Sequence, residues 1–265
     1  MSFPVKAVIF DWAGTVIDFG CMAPVKALID VFGEEGVAIT ADEVRRDMGR
    51  AKRDHLSALL ADRNIAQRWA AQKGRPVSDT DADALYARLE PAMKSAASAS
   101  ARLIPGAAQV VGELRGLGVR IGSGTGYTRA MMADILPAAK GQGYAPDVVI
   151  CAGEVPSGRP SPLMVWKALV ELDAWPARAC IKVDDAAVGI EEGRNAGCWT
   201  VGLSASGNNM GLDIENYAAL PAHERRVRLA LAEGVLKAAG ADFVIEDVSQ
   251  LMPVVREIAH RISAS

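Results

Sequence analysis

Six short runs of β-branched and other apolar residues punctuate the chain, at 5–10, 119–123, 147–151, 179–183, 200–203 and 242–245. Between most of them apolar positions recur every three to four residues, as at 107–117, 128–136, 162–172 and 186–195. That is the period of a helix that buries one face. Strand alternating with helix predicts an α/β fold built on a doubly wound, mainly parallel sheet. The strand runs are almost wholly apolar, so helices should cover the sheet on both faces.

The alternation stops from 20 to 102, where helical signals occur without a convincing strand. This predicts an inserted α-helical cap domain, 20–102, within a core domain made of 1–19 and 103–265. Thr40-Ala41-Asp42-Glu43 has capping-box spacing, which starts a helix running toward Met48 with Gly49 as its stop. A second helix is expected from about Arg50, and further helices at 63–72 and 81–98, the latter kinked at Pro91. Pro105-Gly106 marks the return to the sheet, and 221–240 and 247–262 read as late helices. Ligands of such sheets bind beyond the carboxyl ends of the strands, so an insertion after the first strand is placed to act as a lid.

Composition narrows the partners. In 265 residues, 32 acids against 29 Lys and Arg leave a net charge of -3, so there is no broad positive field for nucleic acid or an anionic membrane. No uninterrupted apolar run is long enough to span a bilayer and no leader-like segment opens the chain. The expectation is a soluble, cytoplasmic protein. Cys21, Cys151, Cys180 and Cys198 are scattered without C-x-x-C pairs, which argues against a disulfide framework or a zinc site.

Four motifs fall at strand ends. Asp11 in Phe10-Asp11-Trp12-Ala13-Gly14-Thr15 is placed as a carboxylate nucleophile. Gly122-Ser123-Gly124-Thr125-Gly126-Tyr127 offers free N–H groups and the Thr125 hydroxyl to an anion, with a helix expected just beyond it. Arg159, before Pro160, can grip phosphoryl oxygens. Lys182-Val183-Asp184-Asp185 presents paired acids suited to Mg²⁺. Each alone has an ordinary structural explanation as a cap, a turn or a solvated charge; together and in this order they reinforce one another.

In that order the motifs resemble the haloacid dehalogenase superfamily, with its Rossmann-like core and aspartyl nucleophile; the motif residues map to Asp11, Thr125, Arg159 and Asp185. Most phosphatases of that superfamily carry a second Asp two residues after the nucleophile, where this chain has Ala13. Without that acid an alkoxide leaves slowly, since proton delivery contributes about 10²–10⁴-fold. A carbon leaving group escapes the problem if a neighbouring carbonyl first becomes an iminium, which requires a lysine. Lys52, in Met48-Gly49-Arg50-Ala51-Lys52-Arg53-Asp54-His55, is the candidate. The start of a helix together with Arg50 and Arg53 should favour its neutral form, and His55, three residues on, shares its face and could shuttle protons.

The DWAGT segment joined to this lysine resembles the phosphonatase branch of the superfamily. The resemblance implies hydrolysis of the C–P bond of phosphonoacetaldehyde, with Asp11 as nucleophile and Lys52 as Schiff base. It further implies Mg²⁺ on Asp11, the Ala13 carbonyl and Asp185; Cys21, Met48, His55 and Tyr127 around the substrate; Thr125, Gly126 and Arg159 at the phosphoryl group; and a homodimer joined through the cap. Many relatives have another acid four residues after the metal-binding Asp, where this chain has Gly189, so water or Asp184 completes the shell instead. A Mg²⁺-dependent phosphatase, a dehalogenase, and a phosphoryl-binding protein without turnover are the other readings.

Overall fold

The computed structural model describes residues 3–264, leaving the outermost positions of the predicted core segments, 1, 2 and 265, outside the described residues. Among the described residues six strands form one parallel sheet: β1 (Ala7–Phe10), β2 (Arg120–Thr125), β3 (Val148–Cys151), β4 (Cys180–Asp184), β5 (Trp199–Leu203) and β6 (Phe243–Ile245). Their spatial order is β3-β2-β1-β4-β5-β6. The order reverses at β1, which pairs with β2 on one side and β4 on the other. The carboxyl ends of these three strands therefore meet at the switch point where doubly wound sheets bind ligands.

The two-residue period of a strand divides β1 between two cores. Val8 and Phe10 join a cluster with Val110, Val111 and Leu114 of α6 (Ala107–Gly116) and Val255 and Ile258 of α12 (Leu251–Ala264). Ala7 and Ile9 instead meet Met164, Val165 and Ala168 of α8 (Leu163–Glu171). Beside α8 lies α9 (Ala187–Ala196), whose Ile190 packs on Leu236 of α11 (Ala222–Ala238). Both faces are thus covered, as the apolar strands demand.

Between β1 and α6 lie α1 (Met22–Glu34), α2 (Ala41–Arg45), α3 (Lys52–Ala61), α4 (Arg63–Lys73) and α5 (Asp79–Ala99). The Thr40 capping box forms: its hydroxyl accepts from Glu43 N at 3.2 Å, and Glu43 Oε2 accepts from Thr40 N at 2.8 Å. The helix it starts is shorter than predicted, giving way after Arg45 to a turn closed by Gly49 at φ 94°. Pro91 sits inside α5.

One predicted helix is corrected. Residues 129–134 form hydrogen-bonded turns, and the helix, α7 (Ile135–Gly141), begins only afterwards. Thr128 starts these turns as a cap would, its Oγ1 accepting from Met131 N at 3.3 Å and donating to Glu90 at 3.1 Å and its carbonyl accepting from Met132 N at 3.1 Å, but the pairing then slips to a three-residue turn, Ala133 N donating to Ala130 O at 3.3 Å, and a regular ladder begins only at Ile135. The short α10 (Ile214–Ala219) and one-turn helices at Ala177–Ala179 and Val248–Gln250 carry no separate mark in the apolar pattern. No helix among the described residues is long and apolar enough to cross a membrane.

Candidate active site

Asp11 follows β1 directly, its N–H donating to Val183 O at 3.0 Å, which fixes the carboxylate at the sheet's switch point. Its Oδ1 lies 2.8 Å from Arg159 Nη2. The guanidinium is wholly enclosed: Nη2 also donates to Gly124 O at 3.0 Å, Nη1 to Gly49 O at 3.3 Å, and Nε to Glu192 Oε2 at 2.9 Å. Burial opposes its charge, but Asp184, Asp11 and Glu192 together hold Arg159 protonated. Burial raises Asp11 to about 6, against the pull of Arg159, so it is mostly ionised at neutral pH.

Beside it, Asp11, Asp184 and Asp185 bring carboxylate oxygens within 4.8 Å of one another. Asp184 is held ionised despite burial by Lys182, 2.9 Å away, and by Arg159. Asp185 differs. Its carboxylate accepts from Asn208 N at 2.8 Å, Cys21 Sγ at 3.2 Å and Thr15 Oγ1 at 3.2 Å, and pairs with no Lys or Arg among the described residues. Burial, then Asp11 and Asp184, push it up to about 8. A fully buried carboxylate without a cation is costly, and hard oxygen donors converging on one point fit a divalent ion such as Mg²⁺. The Ala13 carbonyl belongs to the same corner, since Cys21 Sγ also donates to it at 3.1 Å.

Lys52 opens α3 and is 3 % exposed, with Nζ 3.9 Å from Met48 Sδ and 5.3 Å from the centre of the Tyr127 ring. Its amine is brought down to about 8, chiefly by burial. This corrects the expected cause: the nearby cation that lowers it is Arg159, whereas Arg50 is paired with Asp47 and Arg53 with Asp83 at the surface.

Of the eleven residues singled out from sequence, ten line one cavity: Asp11, Ala13, Cys21, Met48, Lys52, Thr125, Gly126, Tyr127, Arg159 and Asp185. His55 does not line it. Its Nε2 is 2.8 Å from Val44 O, its Nδ1 has no partner among the described residues, and burial lowers it to about 3, so the ring is neutral. The phosphate cradle also differs from expectation, because no regular helix begins after Gly126; Thr125 Oγ1 instead accepts from Tyr127 N at 3.1 Å. Gly126 is there for closeness, as a Cβ would sit 2.5 Å from Arg50 O. The cavity holds about 20 Å³ of free space, little more than one water.

A family model for haloacid dehalogenase-like hydrolases matches residues 5–197. The chain belongs to that family. Over 259 residues, 98 % of this chain and 97 % of the relative, it is 49 % identical to a phosphonoacetaldehyde hydrolase of Paraburkholderia phytofirmans. A phosphonoacetaldehyde hydrolase of Syntrophobacter fumaroxidans is 44 % identical over 98 % of this chain and 94 % of its own. A crystal structure of a phosphonoacetaldehyde hydrolase-like protein from Oleispira antarctica superposes with a TM-score of 0.97 at 42 % identity, covering 99 % of this chain and 95 % of that one.

Within the haloacid dehalogenase-like hydrolases, the glycine at 189 has a spatial cause here. A Cβ on it would lie 2.0 Å from Asp184 Oδ2, so Asp184 occupies the space an acid at 189 would need. Sequence reasoning missed Lys182 and Glu192 as parts of the site. Lys182 Nζ lies 3.3 Å from Glu192 Oε2, and that same oxygen takes the Arg159 Nε bond. A lysine inside an otherwise apolar strand was the available signal, because a charge buried there needs partners.

Proposed function

We propose that this hydrolase cleaves the C–P bond of phosphonoacetaldehyde, releasing acetaldehyde and phosphate. The observation that carries the reading is a buried lysine amine, lowered to about 8, lining the same cavity as Asp11 in a site with Ala13 where a general acid would stand. The printed names of the full-length relatives support the same substrate.

Lys52 attacks the aldehyde carbon, and loss of water leaves a protonated imine. Arg159 and Thr125 with the adjacent backbone orient the phosphonate over Asp11, whose Oδ2 is the oxygen not paired with Arg159. Asp11 attacks phosphorus; the C–P electron pair moves into the iminium and departs as an enamine, leaving an aspartyl-phosphate. Protonation of the enamine carbon and hydrolysis of the imine release acetaldehyde and free Lys52, while water cleaves the acyl phosphate. Asp11, Asp185 and the Ala13 carbonyl would hold Mg²⁺, with Asp184 behind them; when bound, it supplies positive charge against the phosphonate. Tyr127 and Met48 enclose the Lys52 amine, and its burial keeps the neutral, nucleophilic form populated.

Residues 20–102 act in this proposal as the cap that carries Lys52 onto the core residues and excludes water. A homodimer joined through that segment and a cytoplasmic location belong to the same proposal. The test is Mg²⁺-dependent release of phosphate and acetaldehyde in equal amounts, with borohydride trapping of substrate on Lys52. Lys52→Arg should abolish both; normal turnover by that variant would overturn the mechanism. Release of phosphate from simple esters, release of halide, or phosphate binding without turnover would favour the phosphatase, dehalogenase or non-catalytic reading respectively.

A further inference from the structure

Arg45, the last residue of α2, makes a concentrated set of polar contacts with the loop that follows β5 and with Gly20, just before α1. Its Nη1 donates to Gly20 O at 2.8 Å, to Asn208 O at 3.2 Å and to Asn208 Oδ1 at 3.1 Å, and Nη2 to Gly211 O at 3.4 Å. Asn208 answers with Nδ2 donating to Arg45 O at 2.9 Å. The fit is tight enough to require glycine, because Gly211 has φ +67° and a Cβ there would lie 2.9 Å from Arg45 Nε. On its other side the same loop touches the acidic corner: Asn208 N donates to Asp185 Oδ2 at 2.8 Å, and a Cβ on Gly207 would meet Asp185 Cβ at 2.5 Å.

We infer that Arg45 and Asn208 form a latch through which docking of the helical segment positions Asp185 for its divalent cation. The inference rests on the reading of the Asp11, Asp184 and Asp185 corner as a cation site. Arg45 touches neither cation nor substrate; it is a positioning residue that acts through Asn208. Because docking and cation binding share one element, each must strengthen the other by the same factor. The mechanism above assigns no part to either residue.

The test is calorimetric titration of Mg²⁺ into the full chain without substrate, so turnover plays no part in it. Arg45→Ala and Asn208→Ala should each weaken Mg²⁺ binding by about 5–50-fold, within the usual range of coupling between sites. The double variant should be no weaker than the poorer single one, since both break one link. Arg45→Gln, which keeps a side-chain donor but lacks the fork, is the second variant and should show the same loss if Arg45→Ala fails to fold. In the wild type, Mg²⁺ should slow amide hydrogen exchange in α2, and in Arg45→Gln it should not; a merely structural arginine would leave that exchange response intact. Variants that fold and bind Mg²⁺ as tightly as the wild type would overturn the latch while leaving the cation site standing, as would losses that simply multiply in the double variant. A wild type that binds no Mg²⁺ would overturn the cation reading itself, and this inference with it.

Discussion

Met48→Glu tests the physical basis of Lys52 reactivity. An ordinary lysine titrating at 10.5 is neutral in about one molecule in 3000 at pH 7, whereas Lys52 at about 8 is neutral in about one in ten. Burial thus raises the reactive fraction about 300-fold. Met48 Sδ lies 3.9 Å from the amine. A carboxylate at that distance, at an effective dielectric of about 20, stabilises the ammonium by about 4 kcal/mol, or about three pKa units. The gain from burial should vanish, and the neutral fraction at pH 7 should fall at least about 100-fold. The assay is reductive trapping with acetaldehyde and cyanoborohydride, quantified at Lys52 by peptide mass spectrometry across pH 6–11. Wild type and Met48→Leu should show a midpoint near 8, with Met48→Glu shifted above 10. A wild-type midpoint near 10.5, or equal trapping in Met48→Glu at pH 7, would refute the reasoning.

Three further outcomes follow from particular contacts. Gly126→Ala places a Cβ 2.5 Å from Arg50 O where ordinary contact begins at 3.4 Å, so the Gly49-Arg50 turn that leads into α3 must retreat by about 0.9 Å; turnover should fall about 100-fold, and unchanged turnover would show the approach to be slack. Glu192→Gln removes the carboxylate shared by Arg159 and Lys182 and should cost about 3–5 kcal/mol in urea unfolding, the usual effect of breaking a buried pair. Asp18 is raised to about 6, chiefly by burial, so the folded state binds its proton more tightly than the unfolded one. Its stabilising contribution is complete below about 4 and is lost as pH rises through 6; Asp18→Asn should flatten the pH dependence of the unfolding free energy, read by urea titration, over that interval by up to about 3 kcal/mol.

The six strands were legible because parallel strands buried on both faces leave uninterrupted apolar runs, whereas the spatial order that reverses at β1 was not, since apolar runs carry no information on which strands are neighbours. The clustering of the candidate residues was legible wherever a motif residue sits at a strand end: Asp11, Thr125 and Asp185 are placed by the sheet itself. What could not be read depends on distant pairing. The Arg159, Glu192 and Lys182 cluster joins a loop to the interior of a helix and the interior of a strand, and no local spacing announces it. The helix expected after Gly126 starts late because the pairing after Thr128 slips to a three-residue turn at Ala133 before the regular ladder forms, and no apolar spacing announces that slip. Similarly, helical spacing put His55 on the face of Lys52 but did not show that its ring is committed to Val44 O.

The glycine at 189 carries an evolutionary consequence. Since Asp184 fills the volume next to it, swapping in an acid there is incompatible with the Lys182 and Arg159 pairing that fixes Asp184. A lineage cannot drift from one charge layout to the other by single replacements without passing through a crowded intermediate. Among homologous chains, glycine at this place should therefore covary with the aspartate at 184, the lysine at 182 and the glutamate at 192, and the four should change together or not at all.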